Sequence, residues 1–279
     1  MQTPNDIRRS GALIAIGGNE DRTKEKAVLK AALDTLGPVR APAVAVLTAA
    51  SVEPGRLWET YRKAFEGLGA APCWLDIRCR ADAACSQRLE QLSRVDLLFM
   101  TGGDQDRLAR LLHGTAAHRL LLRRQRDDGL AIAGTSAGAS VLGTLMPGGS
   151  ASEDSPTVLD LSDDPIPRGL GFVTGVVIDQ HFTQRRRLAR LMDLSSRQGG
   201  LVGLGIDEDT AAIIRPGVSM TVVGSGSVTL IDCRTAHARG KQDPVVSLCQ
   251  VSLHRGRPGA VFRARPGAAG DRSIGALLP

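Results

Sequence analysis

Aromatic residues are scarce: five Phe, two Trp and one Tyr make up 3% of the 279 residues. A core built from this chain is therefore aliphatic, and a base-stacking platform for nucleic acid is not expected. Long apolar runs are missing as well, with no stretch of about eighteen uncharged apolar residues of the kind that crosses a bilayer. Met1 to Arg9 lacks the basic, then apolar, then small-residue layout of a secretory signal, so a cytoplasmic protein is the expectation. The five cysteines (Cys73, Cys79, Cys85, Cys233 and Cys249) include no CxxC pair, which argues against both a disulfide framework and a zinc knuckle. The even spacing of Cys73, Cys79 and Cys85 matches no metal-ligand pattern and is read as chance. Neither GxGxxG nor GxxxxGK[ST] occurs, so no nucleotide cofactor is expected, and the lack of metal-ligand spacing among the cysteines leaves no metal expected.

What is present is a folding sequence. With 42% hydrophobic and 23% charged residues, the chain buries enough apolar surface to oppose its conformational entropy. The net charge of +6 comes from 35 Lys and Arg against 29 Asp and Glu, and nearly all of the positive charge is Arg. That excess reflects either coding bias or a need for planar guanidinium donors, and composition does not choose between them.

Short apolar runs (Ala12 to Ile16, Val44 to Thr48, Cys73 to Ile77, Val95 to Met100, Leu130 to Ala133) alternate with stretches of helical period (Arg22 to Leu36, Arg56 to Leu68, Ser86 to Leu92, Asp106 to Leu122). This alternation predicts an α/β protein with a mostly parallel, open flavodoxin-like sheet and helices on both faces. Further strands are expected at Gly175 to Ile178, Leu201 to Ile206, Ala211 to Ile214, Met220 to Val223 and Val228 to Ile231, the last few forming a small antiparallel extension at one edge. No repeat or linker divides the chain. One α/β domain over 1–254 is expected, with a long surface loop from Pro147 to Gly169 and a poorly ordered Arg/Gly/Pro-rich tail over 255–279.

The sharpest chemical signal is Gly134-Thr135-Ser136-Ala137-Gly138, which follows the run Leu130 to Ala133 and precedes a helix-like Ala139 to Leu145. Strand, GxSxG and helix in that order is the setting of a nucleophile elbow, in which small flanking residues allow a strained turn that exposes the serine. A helix N-terminus behind it favours developing negative charge. A base is needed, and His113, His118, His181, His237 and His254 are available. His181 ends the strand-like Val176 to Gln180, at the carboxyl edge where α/β active sites form, whereas His113 and His118 fall on helical segments. A carboxylate to orient the imidazole is offered by Asp207, Glu208 and Asp209, all just after the strand Leu201 to Ile206, and spacing alone does not separate the three. The order serine, histidine, acid differs from that of the α/β-hydrolases. The glycine pairs Gly17-Gly18 and Gly102-Gly103 each follow a strand and serve either as tight turns or as backbone donors to an oxyanion. Arg185, Arg186, Arg187 and Arg190 follow His181; on a helix starting near Thr183, Leu188 and Met192 share one face and Arg186, Arg187 and Arg190 lie elsewhere. Such a run is ordinarily a solvated face, but beside a candidate base its guanidinium groups suit a substrate carboxylate.

Taken together, these motifs resemble the cyanophycinase family, relatives of dipeptidase E with a fold like the class I glutamine amidotransferases. The matching strings are Ile16 to Asp21, Phe99 to Gln105, Gly134 to Ala139, Asp179 to Arg185 with Arg187 and Arg190, and Gly205 to Ala211. The resemblance implies a serine exopeptidase that releases β-Asp-Arg dipeptides from the end of cyanophycin, a polymer with an aspartate backbone and arginine on each β-carboxyl. It implies Ser136 as nucleophile, His181 as base, Glu208 as orienting acid and the backbone N–H groups of Gly103 and Ala137 as oxyanion donors. It further implies a pocket lined by Gln105, Asp179, Gln180, Arg185, Arg187 and Arg190, no cofactor, and a homodimer. Two alternatives stand beside it: an aspartyl or β-aspartyl dipeptidase, and a non-catalytic Arg-rich protein holding an anionic polymer.

Overall fold

Strands whose every side chain is apolar bury both faces, and the chain has several. The computed structural model describes residues 10–148, 167–197, 201–234, 237–239, 247–249 and 251–263. Strands β1 (Leu13–Ile16), β2 (Ala43–Leu47), β3 (Ala71–Leu75), β4 (Leu97–Met100) and β5 (Ala131–Thr135) form a parallel sheet in the order β3-β2-β4-β5-β1. All residues of β1, β4 and β5 are buried, as in sheets covered on both sides by helices. The period of two divides their side chains between two cores. Ile14, Val46, Phe99 and Ala133 face helices α1 (Ala27–Asp34) and α2 (Pro54–Glu66), while Leu13, Leu47, Met100 and Ile132 face α3 (Ser86–Ser93), α4 (Gln105–Leu112) and α5 (Ala116–Arg123). The few rings are concentrated: Tyr61, Phe65 and Phe99 pack with centroids 4.7 to 6.5 Å apart, and burying each contributes roughly 1.5–3 kcal/mol.

After β5 the short helix α6 (Ala137–Ser140) leads into β6 (Gly143–Leu145) and β7 (Val173–Gln180), then α7 (Leu188–Arg197), β8 (Val202–Ile206), β9 (Thr210–Arg215), β10 (Ser219–Gly224) and β11 (Val228–Asp232). Strands β12 (His237–Arg239) and β13 (Ser247–Cys249) pair with each other. Strands β14 (Ser252–Gly256) and β15 (Val261–Arg263) complete the described chain. The antiparallel extension is present: β9, β10 and β15 continue the main sheet beyond β1, giving eight strands.

The structure corrects several expectations. There are two principal sheets rather than one, because β6, β7, β8, β11 and β14 form a separate five-stranded sheet. One face of it, including Val176, Ile178, Val202 and Leu204, closes the core over α6, and the other packs on Phe182 and Leu191. The helix expected over Arg22 to Leu36 is confined to Ala27–Asp34, since the Asp21 carboxylate binds the N–H groups of Thr23, Lys24 and Lys26 in a turn. The helix expected over Asp106 to Leu122 is two helices: Gly114 turns left-handed (φ 74°), and Thr115 caps the second by accepting from the His118 N–H. Ala139 to Leu145 is not a helix, because α6 ends at Ser140 and Gly143–Leu145 pairs with β7. The boundary expected at 254 falls inside β14, and residues 255–263 are structured, with β15 paired to β10. Of the loop expected over Pro147 to Gly169, residues 149–166 lie outside the described residues, as do 264–279 of the tail.

Candidate active site

The carboxyl ends of β1, β5, β7 and β8 converge, and each is followed by a residue under constraint. Ser136 sits between β5 and α6 with φ 53° and ψ −115°, the strained turn that lifts a nucleophile off the sheet. The turn tolerates only small neighbours: a Cβ on Gly134 would lie 2.0 Å from the Gly138 carbonyl oxygen, and one on Gly138 would lie 2.3 Å from that of Met100. With four residues, α6 offers its first N–H groups rather than a sizeable helix dipole.

His181 follows β7 at φ 47°, fixed by donation of its N–H to the Gly17 carbonyl at 2.9 Å. Its ring fills the space left by Gly18, where a Cβ would come within 2.4 Å of the imidazole. Its Nε2 lies 3.1 Å from Ser136 Oγ, and its Nδ1 lies 2.6 Å from Glu208 Oε1. An ionised carboxylate only accepts, so Nδ1 carries the proton and Nε2 is left as an acceptor facing the serine hydroxyl. Burial holds His181 below the ordinary histidine value of 6.5, helped by the nearby Arg185 and Arg187 charges and opposed by the bond to Glu208. The imidazole is therefore neutral at pH 7. Burial alone would raise the Glu208 carboxyl, but hydrogen bonds from Asn19 and His181 outweigh it and keep the group below its usual value of 4.5 and ionised.

The acidic trio now separates. Glu208 meets the histidine. Asp207, buried, accepts from the Thr183 N–H and from the Ser227 N–H and hydroxyl, holding the His181 loop to β11. Asp209 accepts from the Asp21 N–H and the Ser225 hydroxyl. Two positioning contacts escaped sequence reasoning. Asn19 Nδ2 donates to Glu208 Oε2 at 2.9 Å, and the Gln184 side-chain oxygen accepts the Glu208 N–H at 3.1 Å. Both lie within the strings Ile16 to Asp21 and Asp179 to Arg185, where pattern alone assigned them no partner.

The glycine pairs also divide. Gly17-Gly18 seats the histidine and the loop after β8, with the Gly18 carbonyl accepting the Asp209 N–H. Gly102-Gly103 faces the nucleophile: a Cβ on Gly102 would lie 3.2 Å from that of Ser136. Among the described residues, neither the Gly103 N–H nor the Ala137 N–H has a hydrogen-bond partner, which leaves both available to an oxyanion.

The pocket residues are placed less uniformly. Gln105 and Gln180 are buried; Gln105 Nε2 donates to the Pro147 carbonyl, and Gln180 Oε1 accepts from Ser136 Oγ at 3.4 Å. Asp179 has no exposed surface, so it does not itself receive a substrate guanidinium. Its Oδ1 accepts from Arg187 Nη1 at 2.9 Å, and its Oδ2 lies 3.1 Å from Arg190 Nε as a charge contact at an angle too poor for a hydrogen bond. Asp179 thus aligns two of the three arginines. Arg187 is buried and Arg190 only partly so. The helix expected to start near Thr183 begins instead at Leu188, because the 183–187 segment closes a turn in which Arg186 is left-handed (φ 52°) and the Arg187 N–H binds the Phe182 carbonyl. The helical projection shifts accordingly. Leu191 is the buried anchor, and Leu188 is 43% exposed. Arg185 precedes the helix, with its N–H on the His181 carbonyl and its charge close enough to act on His181 and Glu208.

A serine, a neutral histidine and an ionised carboxylate in hydrogen-bonded series, at the edge of a parallel sheet and beside two free backbone donors, define a serine hydrolase. Comparison narrows the class. Residues 12–221 match the model of peptidase family S51, and the chain belongs to that family and is a serine peptidase. It is 35% identical over 235 residues to a cyanophycinase of Trichormus variabilis, covering 83% of this chain and 76% of the relative. It is 37% identical over 252 residues to a cyanophycinase of Synechococcus elongatus, covering 88% and 76%. The crystal structure of a peptidase from an acI-B1 Actinobacterium superposes with a TM-score of 0.69 at 22% identity, over 91% of this chain and 97% of that one, and shares the fold.

Proposed function

We propose that this protein is a serine exopeptidase that releases β-Asp-Arg dipeptides from cyanophycin through Ser136, His181 and Glu208. The observation that carries the chemistry is the unbroken series from Ser136 Oγ to His181 Nε2 at 3.1 Å and from His181 Nδ1 to Glu208 at 2.6 Å. The substrate is supported by similarity to the cyanophycinases over most of the chain.

In this reading His181 Nε2 takes the hydroxyl proton as Ser136 Oγ bonds to the carbonyl carbon joining two aspartyl units. The oxygen that becomes negative is received by the N–H groups of Gly103 and Ala137. The imidazolium is stabilised by Glu208, then gives its proton to the departing amine as the C–N bond breaks and an acyl-serine remains. Water attacks the acyl carbon with His181 again as base, and the serine oxygen leaves with the returned proton. Each polymer unit carries a carboxylate and a guanidinium. Arg190, partly exposed and held by its ion pair with Asp179, and Arg185, whose charge acts on His181, form the guanidinium side that suits the carboxylate.

Assembly as a homodimer in the cytoplasm belongs to the same proposal, and light scattering of the purified protein checks its dimeric part. The substrate assignment is tested by offering purified protein cyanophycin beside Asp-Xaa and β-Asp-Xaa dipeptides and following products by mass spectrometry. Dipeptide release from the polymer is expected; cleavage of the dipeptides alone would move the protein to the dipeptidase reading.

A further inference from the structure

A concave feature lies between α4 and the isolated bridge that pairs Leu145 with Arg168. Its volume is about 540 Å³, within the range of pockets that hold ligands. The floor is apolar, made by the buried side chains of Ala109 and Met146. Among the described residues, the walls carry Arg80, Arg110 and Arg168 against a single carboxylate, that of Asp106. Arg80 is committed: it donates to the carbonyls of Arg110 and His113 at the end of α4. Among the described residues, the guanidinium groups of Arg110 and Arg168 have no hydrogen-bond or ion-pair partner, and both residues are exposed. Two uncommitted guanidiniums over an apolar floor suit a ligand that presents spaced carboxylates alongside methylene chains.

Helix α4 links the cleft to the catalytic edge, since Asp106, Ala109 and Arg110 of this helix line it. Gln105 is the first residue of α4 and follows Gly102-Gly103 directly, and Arg110 lies five residues further, about 7 Å along the helix axis. That separation corresponds to two or three residues of extended chain.

We propose that this cleft is a distal subsite that holds cyanophycin units beyond the scissile bond by binding their free arginyl α-carboxylates to Arg110 and Arg168. The inference rests on the substrate reading above. It assigns the cleft a role in capturing long polymer, separate from the chemistry at Ser136.

Two measurements on the full chain test it. Binding of cyanophycin to Ser136→Ala protein is compared with and without the added pair Arg110→Gln and Arg168→Gln, with circular dichroism confirming the fold. The Kd is expected to rise about tenfold on removal of the two charges, and the binding to weaken with salt. A Kd within twofold of the unsubstituted protein, or no binding of the polymer at all, overturns the subsite. In parallel, the Arg110→Gln, Arg168→Gln enzyme with Ser136 intact is expected to show a raised KM on long polymer and unchanged kcat and KM on a two-unit oligomer. An equal rise in KM on the two-unit oligomer also overturns the subsite. Wild type that binds the polymer but releases no dipeptide refutes the substrate reading and leaves the binding result to decide the subsite.

Discussion

Replacing Glu208 by Gln keeps the shape of the site and removes one charge. In the wild type the carboxylate lies 2.6 Å from His181 Nδ1 and its side chain is 30% exposed. An imidazolium formed during proton transfer is attracted to it by about 4 kcal/mol at an effective separation of about 4 Å and a surface-like dielectric of about 20. Partial exposure reduces this to about 3 kcal/mol, or roughly a hundredfold in kcat. Glutamine adds a second penalty: its amide can donate to Nδ1, which places the ring proton on Nε2 and removes the acceptor that faces Ser136. The expected kcat is therefore at least ~10²-fold below wild type, with KM little changed, measured as dipeptide release under saturating polymer. The pH profile supplies an independent sign. His181 acts only when neutral, and burial holds it below 6.5, so wild-type activity rises with pH through a midpoint below 6.5. The bond to Glu208 favours the proton on His181; the variant's residual activity should therefore have its acid limb at lower pH, not higher. A kcat within tenfold of wild type, or an acid limb moved upward, would show that the Glu208 charge does not stabilise the His181 imidazolium.

Two further substitutions probe the scaffold. Gly18→Ala forces a Cβ to within 2.4 Å of the His181 ring at a backbone φ of +94°, so kcat should fall at least tenfold while circular dichroism shows a retained fold; unchanged turnover would show that the ring is not seated there. Asp179→Asn leaves the buried Arg187 guanidinium without its counter-charge, and urea unfolding should report a loss of about 3 kcal/mol; stability equal to wild type would mean that the pair contributes nothing net.

Strands β1, β2, β4 and β5 were legible because their side chains are apolar on both faces, a pattern that local sequence carries by itself. The nucleophile was legible for a related reason: the residues around Ser136 must be small wherever such a turn exists. What escaped depends on distant partners. Val176 and Leu204 read as strands, but that they leave the main sheet for one of their own is decided by pairing across tens of residues. The break between α4 and α5 rests on one left-handed glycine inside a periodic apolar pattern that runs through it. Glu208 looks the same as Asp207 and Asp209 in sequence, and what separates them is which one reaches the His181 ring. The arginines show the same limit. Composition counted them and position set a few beside the base, yet only the buried Asp179 carboxylate shows that Arg187 supports the pocket and Arg190 borders it.

The proposed function stands or falls on cleavage of cyanophycin by Ser136, activated by His181. Its most direct test is mass-spectrometric quantification of β-Asp-Arg released from the polymer by wild type and by Ser136→Ala, at equal concentration and with matched circular dichroism. Release by wild type and a rate at least ~10³-fold lower in the variant are predicted. Release by the variant within tenfold of wild type would exclude Ser136 as the nucleophile.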